Sequence, residues 1–133
     1  MKKFNNIYQI FIVLIVFSLT STIAMAGVLD GKTYTGPTGK LGKAANGEEE
    51  ISFMNGNFYS VGCAEWGFGE AAYSEKVAGD AISFEAVTTS PKHGKIVWAG
   101  TVKGNKVDAT YKWTKKGLFG TRKQDKWFKG TLK

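Results

Sequence analysis

The sequence predicts an all-β protein, an eight-stranded antiparallel up-and-down β-barrel preceded by a cleavable signal peptide. Three observations carry that expectation. Between Gly94 and Thr114, two alternating runs flank the pair Gly104-Asn105, a strong short-range hairpin signal. A two-residue turn there sets Val102 opposite Val107, Gly100 opposite Ala109, Trp98 opposite Tyr111 and Ile96 opposite Trp113, all on one face because side chains alternate along a strand. Turn residues recur at short intervals along the rest of the chain, and no amphipathic helical period follows residue 26. Finally, Phe128-Lys129-Gly130-Thr131-Leu132-Lys133 echoes Trp98-Ala99-Gly100-Thr101-Val102-Lys103, so two strands present the same kind of inner face. Pairing the last strand with the first would close the sheet and remove its edges.

Residues 1–26 read as an export signal. Lys2 and Lys3 precede an apolar run from Phe11 to Leu19, and Ala24-Met25-Ala26 fits a small-x-small cleavage site. That run is shorter than the roughly 20 residues a bilayer-spanning helix needs, so no transmembrane segment is expected after cleavage. Residues 27–133 then form a single domain, with a periplasmic or secreted destination. Leu29 to Thr35 reads as a first strand, and Gly36 to Gly47 as a long flexible loop dense in turn residues. This loop repeats glycine and lysine but lacks the Gly-x4-Gly-Lys-Ser/Thr spacing of a phosphate-binding loop. Ile51 to Met54 and Asn57 to Val61 flank Asn55-Gly56, the preferred pair for a type I′ turn, with Phe53 opposite Phe58. A loop from Gly62 to Gly69 leads to a strand from Glu70 to Lys76 and another from Ala81 to Thr89. The Gly94–Thr114 hairpin follows, then a basic loop from Lys115 to Gln124 and a last strand from Asp125 to Lys133.

The formal net charge of +7 is unevenly spread. Gly27 to Ser90 holds 4 basic and 9 acidic residues, whereas Pro91 to Lys133 holds 12 basic and 2 acidic ones. A basic half of this kind keeps a small protein soluble and steers it toward anionic partners. Cys63 is the single cysteine, so no intrachain disulfide is available and the core alone must hold the domain. Burial is the ordinary fate of such a thiol.

The mature chain resembles, over essentially its whole length, a group of small exported bacterial proteins of unassigned role. The resemblance rests on Leu29-Asp30-Gly31-Lys32, the Asn55-Gly56 hairpin, the Gly62-Cys63 loop, Ile96-Val97-Trp98 and Trp127-Phe128-Lys129-Gly130. At fold level the chain is similar to the lipocalin and avidin type of barrel, the calycin type, which binds small apolar molecules at one mouth. Gly31-Lys32-Thr33-Tyr34 departs from the lipocalin Gly-x-Trp signature, and no set of biotin contacts is recognisable. The similarity therefore implies ligand binding but carries over no site residue.

Three candidate sites follow from the residues. An interior cavity would be lined by Phe53, Phe58, Phe84, Trp98, Tyr111, Trp113 and Phe128, with Gly100, Ala109 and Gly130 making room for a small apolar or aromatic ligand. The same aromatics would equally serve as a solid core. A second candidate is the loop carrying Cys63, Glu65, Trp66 and Phe68, whose bland reading is a plug at one barrel end. A third is the basic C-terminal region, the patch Lys112, Lys115, Lys116, Arg122 and Lys123 with Lys126 and Lys129, interleaved with Tyr111, Trp113, Phe119 and Trp127. In an exported protein its partner would be an anionic envelope component or an acidic protein rather than nucleic acid, and lysines on a wet strand face also simply discourage aggregation. No catalytic constellation, metal cluster or cofactor fingerprint is present, and Cys63 and His93 lack a third group. The expectation is a monomeric, non-enzymatic binding protein with a ligand inside the barrel. The alternative is a protein- or envelope-binding module, an inhibitor or accessory protein, acting through exposed loops and the basic C-terminal face.

Overall fold

A computed structural model describes residues 27–133; the expected signal peptide lies outside the described residues. The chain order is β1 (Thr33–Lys40), β2 (Gly47–Met54), β3 (Asn57–Ser60), α1 (Val61–Ala64), β4 (Ala71–Ala78), β5 (Ala81–Ser90), β6 (Gly94–Lys103), β7 (Lys106–Gly117) and β8 (Gly120–Leu132). All eight strands pair antiparallel with their sequence neighbours, and β8 pairs back onto β1, closing the barrel. Among the described residues no helix is long and apolar enough to cross a membrane.

The turns set the register. β6 and β7 pair Val102 with Val107, Gly100 with Ala109, Trp98 with Tyr111 and Ile96 with Trp113, as the two-residue turn requires. β2 and β3 pair Phe53 with Phe58 and Ile51 with Ser60 around Asn55-Gly56. Both turn residues there have positive φ, 53° and 78°, matching a type I′ turn. The Asp30 carboxylate pins this turn by accepting from the Asn55 and Gly56 amides at 3.0 and 2.8 Å. At Gly104-Asn105 only Gly104 has positive φ, 56°, which is the pattern of a turn with glycine required at its first central position. Gly104→Val should therefore cost about 1–3 kcal/mol, while Asn105→Val stays near neutral. Thermal melts of the two variants check this, and equal melting temperatures would refute the assignment.

Three segments depart from the sequence expectation. β1 runs on through Gly36-Pro37-Thr38-Gly39-Lys40, where a flexible loop was expected. Gly36 and Pro37 pair with Glu49 and Glu48 of β2 but have no partners in the β8 register. A proline, which has no amide to donate, can sit at such a break in the ladder. Gly36 serves close approach instead of mobility, since a Cβ there would lie 2.1 Å from the Lys129 carbonyl oxygen. The expected basic loop is likewise strand: β7 extends to Gly117 and β8 starts at Gly120, leaving Leu118 and Phe119 as the turn. The Gly62-Cys63 loop contains one helical turn, α1, whose Cys63 amide is capped by the Ser60 hydroxyl at 3.3 Å.

The middle of the barrel is packed with aromatic rings. Phe53, Phe58, Phe84, Trp98 and Phe128 are almost wholly removed from solvent. Phe53 meets Phe84 edge to face at 5.0 Å and Phe58 at 5.6 Å, and Trp98 stacks on Tyr111 at 4.0 Å with the planes 9° apart. The space beside the small residues is already taken. A Cβ on Gly100 would lie 2.6 Å from the Phe84 ring and 2.8 Å from Ala109, and one on Gly130 would lie 2.5 Å from the Phe128 ring. At the end holding the β2–β3 turn, Leu29 is fully buried, and Glu75 accepts from the Val28 and Leu29 amides at 2.5 and 3.1 Å. The N-terminal segment closes that end; open space lies at the other.

Candidate functional site

The opposite end holds a cleft of about 740 Å³. It forms because β7 and β8 outlast their neighbours. The inward-facing register of β7 runs Val107, Ala109, Tyr111, Trp113, Lys115, and the matching β8 partners run Gly130, Phe128, Lys126, Gln124, Arg122. Moving outward along this pair, the inner face changes from aliphatic to aromatic to cationic. Tyr111, Trp113, Ile96 and Phe68 supply the apolar surface of the cleft; Lys115, Arg122 and Lys126 stand on one wall, and Glu48, Glu49 and Glu65 also line it. The volume falls within the usual size of a small-molecule site, and the mix of aromatic surface with a few charged groups is the usual chemistry.

Partly buried polar contacts hold the rim. The Ser90 hydroxyl donates to the Trp66 carbonyl at 2.8 Å and accepts from the His93 amide at 3.2 Å, tying the α1–β4 loop to the β5–β6 turn. Trp113 Nε1 donates to the His93 carbonyl at 2.6 Å, which fixes the indole against that turn. Deeper down, the Thr38 hydroxyl donates to the Trp127 carbonyl at 2.7 Å, so its 2.6 Å contact with Tyr111 must have the Tyr111 hydroxyl as donor. Tyr111 thereby keeps its acceptor lone pairs free. Lys126 Nζ sits 5.4 Å from the centre of the Tyr111 ring, in cation–π range. Buried Glu49 accepts at Oε1 from the Glu50 and Gly62 amides, both at 2.9 Å, so two backbone donors compensate the desolvated carboxylate.

Burial pushes the Cys63 thiol up to about 11, with nearby Glu49 adding to the rise and the Ser60 hydrogen bond opposing it. Burial likewise pushes Tyr111 up to about 12. At pH 8 about one Cys63 in a thousand is then thiolate, the opposite of a reactive cysteine. The folded state holds these protons more tightly than the unfolded chain, so stability is intact below pH 9 and is lost as pH rises through the thiol's window to about 11. Cys63 alone should contribute a loss on the order of 2 kcal/mol across that window. Denaturant melts at stepped pH check it: Cys63→Ala should delay the onset of the decline toward pH 10, where tyrosines begin to titrate. An unchanged profile would refute the assignment.

Comparison with protein-family models, with curated proteins and with solved structures finds no match to this chain. The barrel is established by its strand pairing.

The structure divides the sequence-derived candidates unevenly. Of the interior set, Phe53, Phe58, Phe84, Trp98 and Phe128 belong to the packed centre, and only Tyr111 and Trp113 line the cleft. The loop residues Cys63, Glu65, Trp66 and Phe68 all line it, with Phe68 buried and Trp66 half exposed at the rim, its ring edge-on to His93 at 5.5 Å. Of the basic patch, Lys115 and Arg122 face the cleft, while Lys112, Lys116 and Lys123 have the opposite strand parity and point away. Lys112 lies 3.9 Å from Asp125 in an exposed pair of little energetic weight. Lys126, placed with the basic C-terminal region, also faces the cleft, and sequence reasoning missed Thr38, Glu49 and Gln124. Continuing the inner-face parity of Tyr111 and Phe128 by one or two steps would have placed Lys115 and Lys126 on the cleft side. Among the described residues, no three His, Cys, Asp or Glu side chains are close enough to hold a metal ion.

Proposed function

We propose that this chain is an exported, non-enzymatic binding protein of the periplasm or the cell exterior, holding one small ligand at the barrel mouth. The closed eight-stranded up-and-down topology, similar to that of calycin-type barrels, supports that reading. The observation that carries it is the cleft beside Tyr111 and Trp113, where aromatic surface meets Lys115, Arg122 and Lys126. An apolar or aromatic body would lie against the rings while an anionic group meets the cations, so the favoured ligand is an amphipathic acid. The packed centre argues for the mouth over the interior as the binding place, because Phe84 and Phe128 occupy the volume that Gly100 and Gly130 leave open. The protonated, buried Cys63 argues against thiol catalysis at this cleft.

Titration with anilinonaphthalene sulfonate, an aromatic acid whose emission rises in apolar surroundings, tests the reading. The folded protein should bind it at one site, and Lys126→Gln and Trp113→Phe should each weaken binding by about tenfold; Lys126→Gln should leave the melting temperature unchanged, whereas Trp113→Phe, which loses the bond to the His93 carbonyl, should lower it modestly. Binding that is absent, or indifferent to both variants, would overturn the proposal. Native mass spectrometry of protein purified from its own host would then identify the natural ligand.

A further inference from the structure

We infer that the tip of the β7–β8 hairpin is a membrane-docking element that inserts Leu118 and Phe119 into the surface of an anionic phospholipid bilayer. The hairpin projects: β6 last pairs with β7 at Lys95–Thr114, and β1 last pairs with β8 at Lys40–Lys126. The rungs Lys115–Arg122, Lys116–Thr121 and Gly117–Gly120 therefore stand beyond the barrel wall as a free two-stranded ribbon, on the order of 10 Å long. At its end Leu118 and Phe119 are 97% and 103% exposed. Packing does not account for them, and neither does turn chemistry, which favours glycine, asparagine or aspartate at such positions.

Charge names the occupant. Residues 109–124 contain Lys112, Lys115, Lys116, Arg122 and Lys123 and no acidic residue. Strand parity sends Lys115 and Arg122 to one face of the ribbon and Lys116 and Lys123 to the other. The apolar tip thus wears a cationic collar on both faces, set back by two to four residues from the turn. This order matches the layers of an anionic bilayer, with hydrocarbon at the tip and phosphate at the collar. An acidic protein groove would be met by one face of the ribbon, leaving the cations of the other unused. Because the same hairpin forms a wall of the cleft, docking turns the mouth toward the bilayer. The inference stands whether or not the cleft binds a ligand.

The test is co-sedimentation of the full chain, as expressed and processed, with vesicles of phosphatidylcholine containing about one-third phosphatidylglycerol, and with phosphatidylcholine alone. Binding should favour the anionic vesicles and fall steeply between low and physiological salt. Leu118→Ser with Phe119→Ser should lower the partition coefficient about 100-fold without changing the melting temperature, since neither side chain touches the barrel. Replacing Lys115, Lys116, Arg122 and Lys123 by Gln should abolish the preference for anionic lipid. Absence of vesicle binding, or binding equal in the serine variant, would overturn the inference. So would a tip-dependent self-association seen by sedimentation velocity in protein that ignores vesicles.

Discussion

Gly36→Ala is expected to destabilise the protein by about 4 kcal/mol or to prevent folding outright. The added methyl would lie 2.1 Å from the Lys129 carbonyl oxygen and 3.0 Å from the Gly130 Cα, and both are backbone atoms with no rotamer to retreat into. Relief would require β1 and β8 to part, and this seam is what closes the barrel. Parting them would bare two strand edges and loosen the cover over Phe128 on the inner side. A control on the same strand is Thr35→Val, at a position with partners on both sides and no such approach, which should stay within about 1 kcal/mol. Thermal melts decide the matter: a wild-type melting temperature for Gly36→Ala would show that the β1–β8 seam is not as close as described.

The second large effect concerns the packed centre. Phe84→Ala should cost about 3–5 kcal/mol, the usual loss when a buried aromatic ring is removed. Phe84 is 2% exposed and its ring contacts Phe53 and Phe58. Gly100→Ala should also destabilise, because its methyl would meet the Phe84 ring at 2.6 Å and Ala109 at 2.8 Å. The double variant is the informative one. With the ring gone, the Gly100 methyl enters the vacated space, so the double variant should be more stable than the sum of its parts predicts, by about 1–3 kcal/mol. Strict additivity would mean that Phe84 does not fill the volume beside Gly100. The barrel would then have room inside it for a ligand.

Much of the fold was legible in the chain, for a local reason. The pairs Asn55-Gly56 and Gly104-Asn105 are two-residue turns, and such a turn leaves one pairing register open to the strands that leave it. Phe53 opposite Phe58 and Trp98 opposite Tyr111 follow by counting. The Gly36–Lys40 stretch misleads because glycine and proline signal turns by their local preferences. Here proline sits at a gap in the ladder and glycine at a near-contact with Lys129, features that exist only once β8 arrives from the other end of the chain. The Lys115–Gln124 stretch misleads in a related way, since its polar and basic residues suggest a loop. Each strand is extended by the other, and neither by the barrel core.

The candidate site was less legible. Tyr111 and Trp113 were visible as inner-face aromatics, and Cys63, Trp66 and Phe68 as an aromatic loop, but nothing along the chain says that the two groups meet. Their meeting depends on α1 folding over the end of β3 and on Ser90 tying the Trp66 and His93 segments together.

By itself the sequence determined the strand count, the meander order, and the registers and inner faces of the β2–β3 and β6–β7 hairpins. All of these follow from alternation and turn geometry acting over a few residues. Whether the inside is solid or hollow was decided only by the tertiary structure. Filling a volume depends on rings from β2, β3, β5, β6 and β8 converging on one point, and a glycine can mark either an opening or the place where a neighbour's ring already sits. At Gly100 and Gly130 the ring is already there, so the open space, and the chemistry proposed for it, moves to the mouth.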